Sequence, residues 1–201
     1  MLALLLYFGL SRIQFLRLSV MLLDTPICDF GWKAPNFTLK NPHGDVFTMS
    51  EHLGDKGLLI MFICNHCPYV KAIAARLAED TKLLMAEGIN VLAVMSNDYH
   101  LVDADSPANM LRFAEQHGFT FPYLVDEDQQ VGQQYGAVCT PDFFGFNALG
   151  ELQYRGRLDD TRLQNDPNRI PELVNAMQLI AAIGKGPKQQ TVSMGCSIKW
   201  R

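Results

Sequence analysis

Net charge, cysteine and long apolar runs are all scarce in this chain, and each shortage excludes something. Its 201 residues carry 17 Lys and Arg against 21 Asp and Glu, for a net charge of −4. No basic cluster of the kind that neutralises phosphates stands out, which argues against a nucleic-acid partner. The five cysteines, Cys28, Cys64, Cys67, Cys139 and Cys196, form an odd and unevenly spaced set. A secreted disulfide framework uses an even, dense set in a shorter chain, so these cysteines point to a reducing compartment, the cytoplasm. The apolar stretch Met1–Leu10 falls well short of the roughly 20 residues that a membrane helix needs, so no stable membrane insertion is expected. No Lys or Arg precedes that stretch, and no Ala-x-Ala-like cleavage site appears before Met21. Residues 1–20 are therefore read as an N-terminal extension outside the fold, with export or a membrane-surface anchor as the alternatives. Repeats and low-complexity segments are also lacking.

What remains is an ordinary globular composition, 48% hydrophobic and 19% charged, with length for one domain and a full core. Trp32–Leu39 reads as an extended lead-in, because Ala34-Pro35 does not suit a helix. Asn41-Pro-His-Gly44 reads as a turn before a short strand at Asp45–Met49. Gly57–Ile63 and Ile89–Met95 are continuous apolar runs, the mark of strands buried on both faces. Between them, Val70, Ile73, Ala74, Leu77, Leu84 and Met85 recur at helical spacing, with Pro68 at the helix start and Gly88 at its end. Ser106-Pro107 opens a second helix that Gly118 closes. A short strand at Phe121–Asp126, a brief helix at Gln129–Tyr135, a hairpin of Phe143–Phe146 with Leu152–Gly156, and a last helix at Ile170–Ile183 follow. From Gly184 the tail is polar and reads as irregular. The order β-α-β-α-β, then hairpin and helix, predicts one α/β domain with a mixed sheet over residues 28–184, and a tail at 185–201.

The most informative feature is Cys64-Asn-His-Cys67, which closes an apolar strand and opens a helix. Two sulfurs at this spacing can close a small disulfide ring, and the helix N-terminus beside them stabilises a thiolate. The residues leave three readings open: a redox dithiol, half of a metal site completed from elsewhere, or two core thiols. His66 is either a loop residue without a role or a cation that lowers the Cys64 pKa and makes the disulfide more oxidising. Cys28 and Cys196 read as structural or incidental, Cys196 joining the site only if the tail folds back over it, and Cys139 reads as a small strand residue or, two residues from Pro141, a third redox partner. Arg155, Arg157, Asp159 and Asp160 read as a solvated turn with a local salt bridge.

Strand, Cys-x-x-Cys, helix, and a later Thr140-Pro141 entering a strand pair resemble the thioredoxin-like arrangement. The lead-in Ala34-Pro-Asn-Phe-Thr-Leu39 and the insert before Thr140 are similar to the alkyl hydroperoxide reductase/thiol-specific antioxidant branch. The runs Cys64–Val70, Cys139–Phe144, Tyr154–Asp160 and Gly195–Trp200 look more closely like bacterial thioredoxin family proteins. The resemblance implies a thioredoxin-like α/β domain that acts as a thiol–disulfide oxidoreductase without a bound cofactor or metal. Its partners would be a disulfide-bearing protein or small thiol, and an external dithiol reductant or oxidant. It also implies roles: Cys64, nearer the solvent, attacks; Cys67 resolves; and Pro141 is the cis-proline, with the backbone of Thr140 free to pair with a substrate strand. The chain departs from thioredoxin proper in having Ile63 where Trp stands and no carboxylate in the preceding strand. It departs from peroxiredoxins in lacking the Thr-x-x-Cys motif, with Met61 three residues before Cys64. The alternatives to exchange are a thiol-dependent peroxidase and a binding or metal-carrier module using Cys64, His66 and Cys67.

Overall fold

The computed structural model describes residues 21–201; the expectations for residues 1–20 fall outside them. In chain order the elements are β1 (Leu22–Asp24), β2 (Thr38–Lys40), β3 (Val46–Thr48), α1 (Met49–His52), β4 (Leu58–Phe62), α2 (Pro68–Ala86) and β5 (Asn90–Met95). A 3-10 turn at Asp103–Asp105 leads to α3 (Pro107–His117), β6 (Tyr123–Val125), α4 (Gln130–Gln134), β7 (Cys139–Thr140), β8 (Asp142–Phe146), β9 (Leu152–Tyr154), α5 (Glu172–Ile183) and β10 (Met194–Ser197). Seven strands form the main sheet in the order β3-β2-β6-β5-β4-β8-β9. β4, β5 and β6 run parallel, and β8 returns antiparallel to β4, which makes the sheet mixed.

The apolar runs place β4 and β5 at the centre, and alternation divides their side chains between two cores. Leu59, Met61, Val91, Ala93 and Met95 face one cluster, into which α2 and α5 insert Ile73, Leu77, Leu173 and Met177. Leu58, Ile60, Phe62, Leu92 and Val94 face the other, built with Phe37, Tyr135, Phe144 and Phe146. α5 approaches the sheet closely because position 145 is glycine: a Cβ there would meet Met177 Sδ at 2.6 Å.

Two readings are corrected by the fold. The tail is not irregular throughout: β10 lies between β1 and β7 in a second, three-stranded sheet. Met-Gly-Cys-Ser has little strand character by itself, and its pairing is fixed by remote partners. Lys199 donates its N–H to Asn97 Oδ1 at 2.8 Å, and the Gln129 amide donates to the carbonyls of Ser96 and Lys199. The second correction concerns the charged run at 155–160, of which Arg155 and Asp159 are buried. Arg155 pairs with Asp142 at 2.9 Å and lies over the Phe144 ring, while Asp159 takes Arg76 at 2.7 Å. Buried charges need such partners, and these lie too far along the chain to be read locally.

Candidate active site

β4 ends at Phe62, and residues 63–67 turn directly into α2. Cys67 occupies the N-cap position of this 19-residue helix, with Pro68 in its first turn, where a missing N–H costs nothing. Thr140 and Pro141, joined by a cis peptide bond, come from the β7–β8 junction beside β4. The fold thus gathers Cys64, Cys67, Thr140 and Pro141 from sequence positions more than 70 residues apart. Cys64 Sγ lies 3.1 Å from Thr140 Oγ1, and Cys67 Sγ lies 3.1 Å from the carbonyl oxygen of Thr140.

Both thiols are buried, so the expectation that Cys64 lies toward the solvent is corrected. Burial pushes the Cys64 thiol well up, its bond to Cys67 adds to this, and the charge of Asp105 works in the same direction. Cys67 moves the other way, to about 5, chiefly through the hydrogen bond from Cys64 and against its own burial. The Cys196 thiol and the backbone N–H of Val70 in the first helical turn lower it further. Cys67 thus lies at the positive end of the helix, which favours the thiolate form.

His66 lies against Asp105. Its Nδ1 lies 2.6 Å from Asp105 Oδ2, and the charge that acts on Cys64 is that of Asp105. Asp105 is fully buried and accepts four hydrogen bonds: from the backbone N–H groups of Asn65 and His66, from the His66 ring and from the Asn97 amide. It thereby holds the 65–66 turn in place. Sequence reading missed Asp105, which comes from the turn before α3; its one local signal was an acidic pair ahead of Ser106-Pro107. Cys64, His66 and Asp105 bring three metal-capable atoms within 4.8 Å, although both Asp105 oxygens are already engaged.

Cys196 meets the condition set for it by the sequence. The tail does fold back: β10 aligns Cys196 with Thr140, and the Cys196 and Cys67 sulfurs are 2.9 Å apart. Its thiol is pushed up to about 12 by burial and by its bond to Cys67. The backbone of Thr140, expected to be free for a substrate strand, is thus occupied by the chain's own β10. Cys139, next to Thr140, bonds the carbonyl of Pro141 at 3.8 Å, and burial raises its pKa.

A mixed sheet flanked by helices, with two cysteines at a helix N-terminus against a cis-proline loop, defines a thioredoxin-fold protein. Residues 30–155 match the AhpC/TSA family, and the chain belongs to it. A crystal structure of an uncharacterized conserved protein from Geobacillus kaustophilus superposes with a TM-score of 0.85 at 39% identity, covering 92% of this chain and 98% of that one. A putative thiol:disulfide interchange protein DsbE from Chlorobium tepidum shares the fold, with a TM-score of 0.56 at 22% identity over 77% of this chain and 98% of that one. Among curated relatives, peroxiredoxin Bcp of Escherichia coli K12 is 28% identical over 56% of this chain and 67% of its own length. Thiol-disulfide oxidoreductase ResA of Geobacillus thermodenitrificans is 27% identical over 61% of this chain and 66% of its own. The relatives of this chain are redox proteins of both kinds. Among the described residues, no helix is long and apolar enough to cross a membrane.

Proposed function

We propose that the protein is a thiol–disulfide oxidoreductase that works through Cys64 and Cys67. The observation that carries this reading is the placement of both sulfurs at the α2 N-terminus against Thr140-Pro141, with Cys67 at the N-cap and each sulfur 3.1 Å from an oxygen of Thr140. The Thr140 hydroxyl, 3.1 Å from Cys64 Sγ, is placed to stabilise a thiolate there. Cys64 attacks a sulfur of a substrate disulfide and expels the other sulfur as a thiolate. Cys67 then attacks the mixed disulfide, releasing the second substrate thiol and closing Cys64–Cys67. An external dithiol, or an oxidant when the flow is reversed, resets the pair, and no bound cofactor is needed. A cavity of about 180 Å³ beside Pro141, lined by Tyr69, Ile73, Phe143 and Leu158, provides room for an apolar substrate segment or small thiol.

The peroxidase alternative draws on the Thr140 hydroxyl at Cys64 and on the peroxiredoxin relatives. One experiment separates the two. Reduced protein is mixed in stopped flow with glutathione disulfide, with insulin and with hydrogen peroxide, alongside Cys64→Ser and Cys67→Ser variants. The exchange reading expects disulfide turnover lost in both variants, a substrate adduct trapped on Cys64 in Cys67→Ser, and peroxide oxidation no faster than that of free cysteine. Fast peroxide oxidation with no disulfide turnover would replace it with the peroxidase.

A further inference from the structure

We propose that Cys196 is a third redox thiol of the site, which takes over the disulfide from Cys64–Cys67 as a Cys67–Cys196 bond. The proposal rests on the exchange reading and deepens it. Its basis is the placement of β10. The Cys67 and Cys196 sulfurs, 2.9 Å apart, must close by a little under 1 Å to reach the roughly 2.05 Å of a disulfide. Both cysteines are buried, so they meet where solvent thiols do not compete.

The contact is built rather than incidental, because independent features hold the strand against the site. Gly195 packs on the Thr140 carbonyl so closely that a Cβ would stand 2.0 Å from its oxygen. Ser193 donates its hydroxyl to the carbonyl of Pro141 at 2.9 Å and its N–H bonds to Thr25 Oγ1. On the far side of Cys196, the Lys199 N–H bonds to Asn97, whose amide bonds to Asp105, the acceptor that holds the 65–66 turn. The segment carrying Cys196 is therefore tied at both ends to the residues that position Cys64, Cys67 and Pro141.

The step balances internally. A substrate disulfide first takes the two electrons of the Cys64–Cys67 dithiol, as in the exchange reading. The Cys196 thiolate then attacks Cys67 Sγ, the Cys64–Cys67 bond breaks, and Cys64 leaves as a thiolate that takes up the proton Cys196 gave up. No electrons enter or leave in this second step. It returns Cys64 to the thiol state while β10 becomes covalently fastened to the start of α2.

Trypsin makes the test direct. Cleavage after Lys56 and Lys71 leaves Cys64 and Cys67 in one peptide, 57–71, and cleavage after Lys188 and Lys199 leaves Cys196 in another, 189–199. The full-length reduced protein is treated with a stoichiometric amount of glutathione disulfide, quenched with acid and N-ethylmaleimide, digested and mapped by mass spectrometry. Wild type is expected to give both the internal 57–71 disulfide and the 57–71/189–199 cross-link. Cys196→Ser is expected to give the internal disulfide alone, and Cys64→Ser, which lacks the attacking thiol, neither product. An internal 57–71 disulfide in wild type with no 57–71/189–199 cross-link would overturn the proposal and leave the exchange reading standing. Absence of any disulfide within 57–71 in both wild type and Cys196→Ser would overturn both. Circular dichroism of each variant before oxidation identifies a loss of fold, and Cys64→Ala replaces Cys64→Ser if that variant does not fold.

Discussion

Cys196 and Thr140 are paired across the β10–β7 ladder, so the last strand of the chain lies over the loop that carries Pro141. An edge that an extended partner could have used is filled by the chain itself, with a sulfur delivered to Cys67. An external protein strand must displace β10 to reach that edge.

This relationship depends on Gly195. A methyl group there collides with backbone, not with a side chain that can rotate away. Gly195→Ala is expected to cost about 1–3 kcal/mol in urea unfolding, the usual range for overpacking. It is also expected to speed alkylation of Cys196, read by mass spectrometry of peptide 189–199 in the native state. A destabilised protein with unchanged Cys196 protection would show that the strand stays seated without the glycine.

Alkylation of the reduced pair is expected to follow the Cys67 thiolate. With its pKa lowered to about 5, iodoacetamide modification of Cys67 in Cys196→Ser should titrate far below the ordinary thiol value near 9. Removing the bond from Cys64, the largest cause of the lowering, should move the midpoint upward in Cys64→Ala. The pH profile of the alkylation rate checks both.

Asp105 acts on the site through its charge and through the turn that it holds. Asp105→Asn removes the charge that raises the Cys64 pKa, so the reduced pair should be stabilised and its disulfide made more oxidising. It also turns an amide toward N–H donors that a carboxylate now accepts, at a cost of about 1–3 kcal/mol in stability. His66→Ala should move the potential less than Asp105→Asn, because the ring is engaged by Asp105. Redox titration of the three proteins orders these effects.

The Asp142–Arg155 pair predicts a pH effect away from the thiols. Burial raises the Asp142 carboxyl to about 6 despite Arg155, above its unfolded value near 4. A raised folded pKa adds stability below the unfolded value and loses it as pH rises through about 6. Relative to Asp142→Asn, wild type should therefore gain about 2 kcal/mol between pH 7 and pH 4.5. Urea unfolding at the two pH values measures the difference.

The central strands and long helices were legible because their signals are local. Gly57–Ile63 is apolar throughout and Ile89–Met95 apolar except for Asn90, and α2 and α3 begin at Pro68 and Pro107. The Cys64–Cys67 pair and Thr140-Pro141 were legible as motifs. What escaped was made by distance. β10 is four residues of weak strand character, ordered by partners as remote as Asn97 and Gln129. Asp105 is one of several acids in its stretch and acquires its place only when the turn before α3 packs on Asn65 and His66. The buried pairs of Arg155 and Asp159 hide for the same reason, since an isolated charged run looks solvated.

The central claim is that Cys64 and Cys67 exchange electrons as a pair. Its most direct test is equilibration of the Cys196→Ser protein in glutathione buffers of graded potential, followed by quenching and mass analysis of peptide 57–71. The account predicts a reversible two-electron transition in which that peptide passes from two free thiols to one internal disulfide. A peptide that keeps two free thiols, or carries only glutathione adducts, from the reducing to the oxidising limit would contradict it.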